Sequence, residues 1–508
     1  MYPLAGFFYI LFISDLLVIV GFGERRFLRM RNWLNRNIGL AFSFAICNAA
    51  MAFGCDQLPV GQTLWIRLAA PISTYTAKSG DPVRAVLTQS LVCDDEIVLP
   101  MGTEVGGIVR SKRKVGWGIR HETAALELEF NHATTGTGIE FDLSARVEEV
   151  ENARELVRKG VIQGIRSSDT FQGSINSRLI HLPTWNPYSD PFLMAYKATF
   201  PIFPEPEIHY AAGTEIRLLA TKEILLPTKR TIETRETLFA DEADSDRLDR
   251  LVEGVPLRVT TTKHLDADLL NIIFLGSEDQ VRSAFRAAGW HNADPVSKHA
   301  TLKSLYALLN NSGYPQEPMT TFILNGKPQD MNWQSSLNDY GRRDHLRIWQ
   351  WKQEGATEPV WATSSTHDTA AVLSLKYRGF IHHIAPNIDE ERSKVIRDLN
   401  FAGCVRSVSY VSRPEMPTIT RNATGDVMKT DGSIAVIALQ DCQPKVDLQI
   451  GQISPSSNFK PGSWAFRYIR RQILTFRNDI WRANIIYGVF EVGRRTITAF
   501  RRQPALTQ

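Results

Sequence analysis

The chain has 508 residues, 43% of them hydrophobic and 22% charged. That is the balance of an ordinary globular protein with room for about three domains, each able to bury a core. A net charge of +4 is too small for a protein whose whole surface binds polyanions, so nucleic acid is not the expected partner.

The N-terminus holds two apolar stretches. Leu4 to Phe22 is about long enough to span a bilayer, although Asp15 inside it is costly. Ile38 to Cys47 follows Arg31 and Arg36 and runs into Ala50-Met51-Ala52, a small-residue exit. Read from Met30, it is a complete secretory signal peptide with processing expected after Ala52. The alternative is a membrane anchor built from both stretches. A lipoprotein cleavage at Gly54-Cys55 is opposed by Phe53, where a small residue is expected. Residues 1–52 are thus a signal or membrane segment. The protein is expected to be exported, to the periplasm or the membrane-associated cell envelope.

Cleavage would remove Cys47 and leave Cys55, Cys93, Cys404 and Cys442. An even number in an exported protein predicts disulfides. Pairing Cys55 with Cys93 and Cys404 with Cys442 keeps each bridge within one domain; four free, buried thiols are the alternative.

Residues 57–227 read as β-rich. Thr63 to Leu68, Pro82 to Gln89, Glu96 to Leu99, Val105 to Arg110 and Leu126 to Phe130 have strand patterning. A glycine-led phrase recurs: Gly61-Gln62-Thr63-Leu64-Trp65-Ile66-Arg67-Leu68, Gly213-Thr214-Glu215-Ile216-Arg217-Leu218 and, fainter, Gly102-Thr103-Glu104-Val105. The same turn feeding a strand at both ends of a region predicts a last strand that returns beside the first and closes a β-barrel-like domain. Together with the Leu-Pro-x-Gly-Thr turn, the pattern resembles the barrel domain of TrbI-type conjugation and type IV secretion channel proteins. Glu148 to Arg158, around Asn152-Ala153-Arg154-Glu155, and Gly160 to Asp169 predict a turn-rich excursion. Thr184 to Pro206 predicts an irregular loop packed on the barrel, or a partner-facing lip.

Residues 228–255 form an acidic connector, a linker or an exposed helix. In residues 256–445, strands at 270–275, 321–324, 346–351, 359–365 and 405–411 alternate with helices at 278–288, 299–309 and 388–401, a mixed α/β domain. Ser277 with Gln280 predicts a capping box. The strand Leu270 to Gly276, this capped helix, Tyr314-Pro315, Gly326-Lys327-Pro328-Gln329-Asp330, Arg342 to Trp349, Thr366-His367-Asp368 and His382 to Arg392 follow in an order that resembles the LssY C-terminal domain, over about residues 256–413. That bacterial family is named for a type I secretion component, and the resemblance implies no defined reaction.

A second linker, 443–461, leads to a basic tail, 462–503. Between Trp464 and Arg502, nine arginines face only Asp479 and Glu491, and Phe466, Ile469, Ile473, Phe476 and Ile480 recur at helical spacing. This predicts a C-terminal amphipathic helical tail, or a pair of helices broken near Gly488. Arg467, Arg470, Arg471, Arg477, Arg482, Arg494 and Arg495 are the residues expected at an anionic membrane surface. A helix docked on the protein's own core is the alternative.

The candidate chemistry lies in the α/β domain: His345, Asp368, His382, His383, Asp389, Glu391 and Arg392. His382 and His383 are adjacent on a strand, so only one can enter a pocket. One of them, combined with Asp389 or Glu391, could hold a divalent metal or act as base and orienter. No H-x-x-x-H, paired CxxC, Walker loop or G-x-S-x-G motif accompanies them. The plainer reading makes Asp389, Glu390 and Glu391 first-turn acids favouring the helix dipole, with Asn387 and Glu390 as a capping box. No cofactor is evident. The leading expectation is therefore an exported accessory or interaction protein with envelope protein partners and a link to secretion. The alternative is a hydrolase of an envelope lipid or polymer.

Overall fold

The recurring glycine-led phrase is one turn built three times. Gln62, Thr103 and Thr214 each return a backbone N–H to the carbonyl three residues back, at 3.1, 3.2 and 3.2 Å. The residue before each is a glycine with φ of 88°, 89° and 82°, a conformation costly for any side chain. Thr103 and Thr214 also donate their hydroxyls to those same carbonyls. The computed structural model describes residues 57–93, 96–166, 170, 204–226, 233–234, 245–310, 312–353, 356–374, 379–443, 461–483 and 493. The expected cleavage at Ala52, Cys55, most of the 184–206 loop and the linker 444–460 lie outside them.

Each turn launches a barrel strand. In chain order the barrel strands are β1 (Thr63–Leu68), β2 (Pro82–Leu87), β3 (Glu104–Arg113), β4 (Ala125–Thr134), β5 (Glu140–Val150) and β6 (Glu215–Ala220), the turns leading into β1, β3 and β6. Each strand pairs antiparallel with the next, and β6 pairs with β1, Ile216 opposite Ile66. The six-stranded barrel is therefore closed by a last strand beside the first, as the repeated phrase predicts, and it has no free edge. Alternation fills it: Leu64, Ile66, Leu68, Ile216 and Leu218 are at most 1% exposed. The expected excursion begins later than its predicted start, because Glu148 to Val150 still belong to β5. Beyond it, 156–158 and 161–163 form a hairpin on β4.

The acidic connector ends in helix α1 (Ser245–Glu253), which buries Leu251 and Val252. The α/β domain centres on an eight-stranded sheet: β7 (Ile272–Leu275), β8 (His291–Asn292), β9 (Met331–Ser335), β10 (Arg343–Trp351), β11 (Val360–Ser374), β12 (Gly379–Ile384), β13 (Val405–Ser412) and β14 (Ser433–Leu439), in the order β8-β9-β10-β11-β7-β14-β13. Only β7 and β14 run parallel. The long β11 pairs with β7 through residues 360–363 and with β12 through 368–374. Asn271 fills the junction, its side chain bonding the backbone of Ser365 in both directions. Every residue of β7 is buried, as suits a strand covered on both faces.

Helices α2 (Glu278–Ala287) and α4 (Ile388–Phe401) pack on one face through Phe285, Val395 and Leu399 against Phe274 and Ile348. Helix α1, Met416 and Met428 cover the other. Helix α3 (Lys298–Asn310) lies between β8 and β9 in the chain. The capping box of Ser277 and Gln280 forms as expected. Asn387 caps α4 by accepting from Asp389 N, but its Nδ2 goes to the Glu390 carboxylate, so the reciprocal box expected there does not form. Cys404 and Cys442 form a disulfide. Cys93 is also disulfide-bonded.

The tail begins as helix α5 (Trp464–Ala483). Its inner side docks on the barrel: Leu474 joins the barrel core, and Phe466 meets Trp117 edge to face at 4.5 Å. Arg477 donates to Gly118 O at 3.1 Å. Among the described residues no helix is long and apolar enough to cross a membrane.

Candidate functional site

Strand alternation divides the candidate residues between the two faces of the sheet. On the face away from α4, Arg343, His345, Asp368 and His382 converge with Glu317 and Tyr340. Arg343 stands opposite Asp368 in register and donates Nε to its Oδ2 at 2.8 Å. Its Nη1 reaches Glu317 and Gln334, both at 2.9 Å. His345 Nδ1 and His382 Nδ1 lie 3.4 and 3.3 Å from the same Asp368 oxygen. Tyr340 donates to Glu317 at 2.6 Å.

Burial opposes ionisation of Asp368, but His345, His382 and Arg343 hold its carboxyl below the usual range. Burial pushes His345 down to about 3, so its imidazole is neutral at ordinary pH. The Arg343 guanidinium is a standing positive charge beside Asp368. Asp368 is 1% exposed and His345 4%. The centre is an ion-paired cluster, buried at Arg343, His345 and Asp368 and partly exposed at His382.

On the opposite face a second charged cluster joins the α/β domain to the barrel. Asp398 of α4 accepts from Arg67 of β1 at 2.8 Å and from the Trp290 indole at 2.9 Å. Glu215 of β6 accepts from Arg397 and Lys394. Lys394 Nζ also lies 3.1 Å from Asp398 and 3.7 Å from Asp344. Burial disfavours the Glu215 charge, yet Lys394, Arg397 and Arg67 hold its carboxyl far below the usual value. The Asn152-Ala153-Arg154-Glu155 stretch docks beside it. Asn152, at φ 53°, donates to Asp344 at 2.7 Å, and Glu155 accepts from Asn338 at 2.8 Å.

Asp344 pairs with its cross-strand neighbour His367 at 2.6 Å. Burial lowers the His367 imidazole, but the Asp344 hydrogen bond and charge raise it to about 9. Burial and the nearby Asp344 push Glu151 up to about 7, and the same two causes raise Glu391 well above its usual value. Burial and Asp344 thus favour the protonated form of Glu391, whose Oε1 accepts from the Ser365 hydroxyl at 3.3 Å.

Glu151, Asp344 and His367 each offer one ligand atom within 4.8 Å of the others, a group among the described residues that could hold a divalent metal. A cation there would compete with the Lys394 ammonium and with the proton on His367 Nδ1. The residues thus fit a proton-bearing ionic junction better than a metal.

The seven residues expected to form one site fall in several places. His345, Asp368 and His382 come together. His383 points the other way and pairs with Asp426 at 2.7 Å. Asp389 accepts from Thr430 and Asp431 N, and Arg392 forks onto Asp431, which anchors the start of α4. Glu391 belongs to the interdomain junction. The two histidines thus take Asp368, Glu317 and Asp426 as partners, in place of Asp389 or Glu391.

Sequence reasoning missed Arg343, Glu317, Lys394, Asp398, Glu215 and Arg67. One signal was present: Glu391, Lys394 and Asp398 recur at helical spacing on the same face as Val395. A charged stripe beside the apolar one marks a helix that buries charge.

The tail arginines also divide. Arg470 is 0% exposed and ion-pairs with Glu205 and Glu207, so it does not face a membrane as expected. Arg477 is held on the barrel. Arg467 and Arg471 line a cleft between α3 and α5. The side chain of Arg482, together with Arg494 and Arg495, lies outside the described residues.

This architecture is a closed six-stranded barrel joined to a mixed α/β domain. Residues 252–434 match the family model described as LssY C-terminus, so the chain carries an LssY C-terminal domain there. No curated protein matches the chain. Among solved structures, ComB10 of the Com type IV secretion system of Helicobacter pylori is similar at 13% identity, over 35% of this chain and 93% of that one, with a TM-score of 0.21. A likeness at that score carries no functional argument.

Proposed function

We propose that this protein is an exported, envelope-associated interaction module, a two-domain scaffold with an accessory role such as one in secretion. The observation that carries the non-enzymatic reading is the ion-paired centre at Asp368. Asp368 is 1% exposed, and its Oδ2 is shared by Arg343, His345 and His382, of which His382 is the most exposed. A catalytic acid or base needs a reacting atom within hydrogen-bond reach. Export is supported by the Cys404–Cys442 disulfide, a bond that persists in oxidising compartments.

The test is fractionation of cells combined with thiol labelling. The protein is expected in the envelope fraction with Cys404 and Cys442 unreactive until reduced. Recovery in soluble cytoplasm with both thiols free would overturn the reading. Asp368→Asn separates the two kinds of function. A structural role predicts loss of thermal stability in step with loss of function. A fully stable variant that loses function would instead mark a catalytic carboxylate.

A further inference from the structure

A cleft of about 730 Å³ opens between the barrel segment 204–209, α3 and α5. Arg467 and Arg471 of α5 stand on one wall. The carboxylates around it are already committed. Glu207 accepts from Thr74 and from the backbone N–H groups of Val115 and Gly116, and Arg470 lies between Glu207 and Glu205. Arg154 pairs with Glu155, and Lys303 with Asp294.

Arg467 and Arg471 are left without a carboxylate of their own among the described residues. Arg467 donates to Gly462 O in its own helix turn. Arg471 Nε is buried with no hydrogen-bond partner, and Glu205, the acid beside it, is already taken by Arg470. Burial, together with the charges of Arg470 and Arg467, lowers the Arg471 guanidinium. Two adjacent guanidinium forks with spare donors match the geometry of a phosphate.

The opposite wall carries Leu302, Tyr306 and Ala307 beside His299 and Lys303. Helix α3 leaves Leu302 64%, Leu305 40% and Tyr306 66% exposed, and Val296, just before it, is 74% exposed. On α5, Trp464 is 74% and Ile469 47% exposed. Exposed apolar side chains beside a cationic cleft are what an amphiphile meets and what a free phosphate does not need.

We propose that the cleft between α3 and α5 binds the phosphate headgroup of an anionic lipid, with Arg467 and Arg471 receiving the phosphate and the Leu302–Tyr306 face of α3 lying against the acyl chains. The site is independent of the export reading, since it concerns what the folded protein binds and not where it resides.

Purified full-length protein is mixed with phosphatidylcholine vesicles, with or without phosphatidic acid, and the bound fraction is measured by sedimentation. The apolar N-terminal stretches meet both vesicles alike, so the readout is the difference between them. Binding is expected to be stronger with phosphatidic acid and to weaken as salt rises. Arg467→Gln and Arg471→Gln should each reduce that excess roughly fivefold. Arg406→Gln, on the edge strand β13 and paired with Glu358, should leave it unchanged.

Leu302→Ser and Tyr306→Ser, at exposed positions, should weaken vesicle binding while the melting temperature holds. Equal binding to both vesicles, or arginine variants no weaker than Arg406→Gln, would overturn the site. Full competition by inorganic phosphate, with Leu302→Ser without effect, would overturn the lipid assignment in favour of a soluble phosphate ester.

Discussion

Glu215 of β6 accepts two hydrogen bonds from the Arg397 guanidinium of α4, Nε at 3.0 Å and Nη2 at 2.7 Å. That guanidinium also stacks on the Trp65 ring of β1 at 4.0 Å. The contact ties barrel to α/β domain through a buried charge on each side, with Lys394 on the second Glu215 oxygen at 3.0 Å. A domain interface built this way is costly to break from either side, because the partner left behind stays buried and charged.

Glu215→Gln should therefore cost about 3–5 kcal/mol. It would strand Arg397 and leave Lys394 and Arg67, also within 3.5 Å of the lost charge, to Asp398. Urea unfolding monitored by tryptophan fluorescence is the measurement. A midpoint unchanged from the parent would show that the junction does not hold the domains together.

Glu391 should behave in the opposite way. Burial and Asp344 both favour its protonated form, a hydrogen-bonding group without charge. Glu391→Gln should shift stability by less than about 0.5 kcal/mol, within the range of ordinary tolerated changes. Glu391→Ala should cost about 1–3 kcal/mol through a lost hydrogen bond and a small void. Thermal melts of the two variants, side by side, decide it; a large loss in the glutamine variant would mean that the carboxyl is ionised.

Stability should fall as pH rises through the neutral range. His367 has its folded value near 9 against an ordinary 6.5, so its contribution is complete below about pH 6.5 and is lost as pH climbs through 9. Its size is on the order of 3 kcal/mol. Glu151, near 7 against an ordinary 4.5, acts in the same direction lower down, since the folded state holds the extra proton. His367→Gln should flatten the profile between about pH 7 and 9. Unfolding midpoints across that range, in parent and variant, would refute the assignment if both fell equally.

Reduction of the Cys404–Cys442 bridge, which spans 38 residues of sequence, should lower stability by about 3–4 kcal/mol on loop-closure grounds. Paired Cys404→Ser and Cys442→Ser substitutions should reproduce the loss without reductant. The Cys404 side is 0% exposed, so the native bridge should also react slowly with mild reductants. Rapid reduction with no change in melting temperature would contradict this.

The sequence by itself determined what is local or periodic. The three glycine-led turns, the alternating strands they launch and the Ser277–Gln280 capping box depend on neighbours a few residues apart, so their patterns are written consecutively. Helix α4 was legible to its end residues for the same reason. The opposed directions of His382 and His383 follow from the pleat alone.

Only the tertiary structure decided who meets whom. Glu215 and Arg397 stand 182 residues apart, and Arg67 and Asp398 stand 331 apart. Nothing in the residues around either member of these pairs specifies its partner. Glu391 looked like a helix-dipole acid because Ser365 and Asp344, which it meets in the fold, are absent from any window around it. Arg470 looked like its exposed neighbours until Glu205 and Glu207 closed over it. Charge acquires its role from burial and from the counter-charges that folding brings near, and both are properties of the assembled chain.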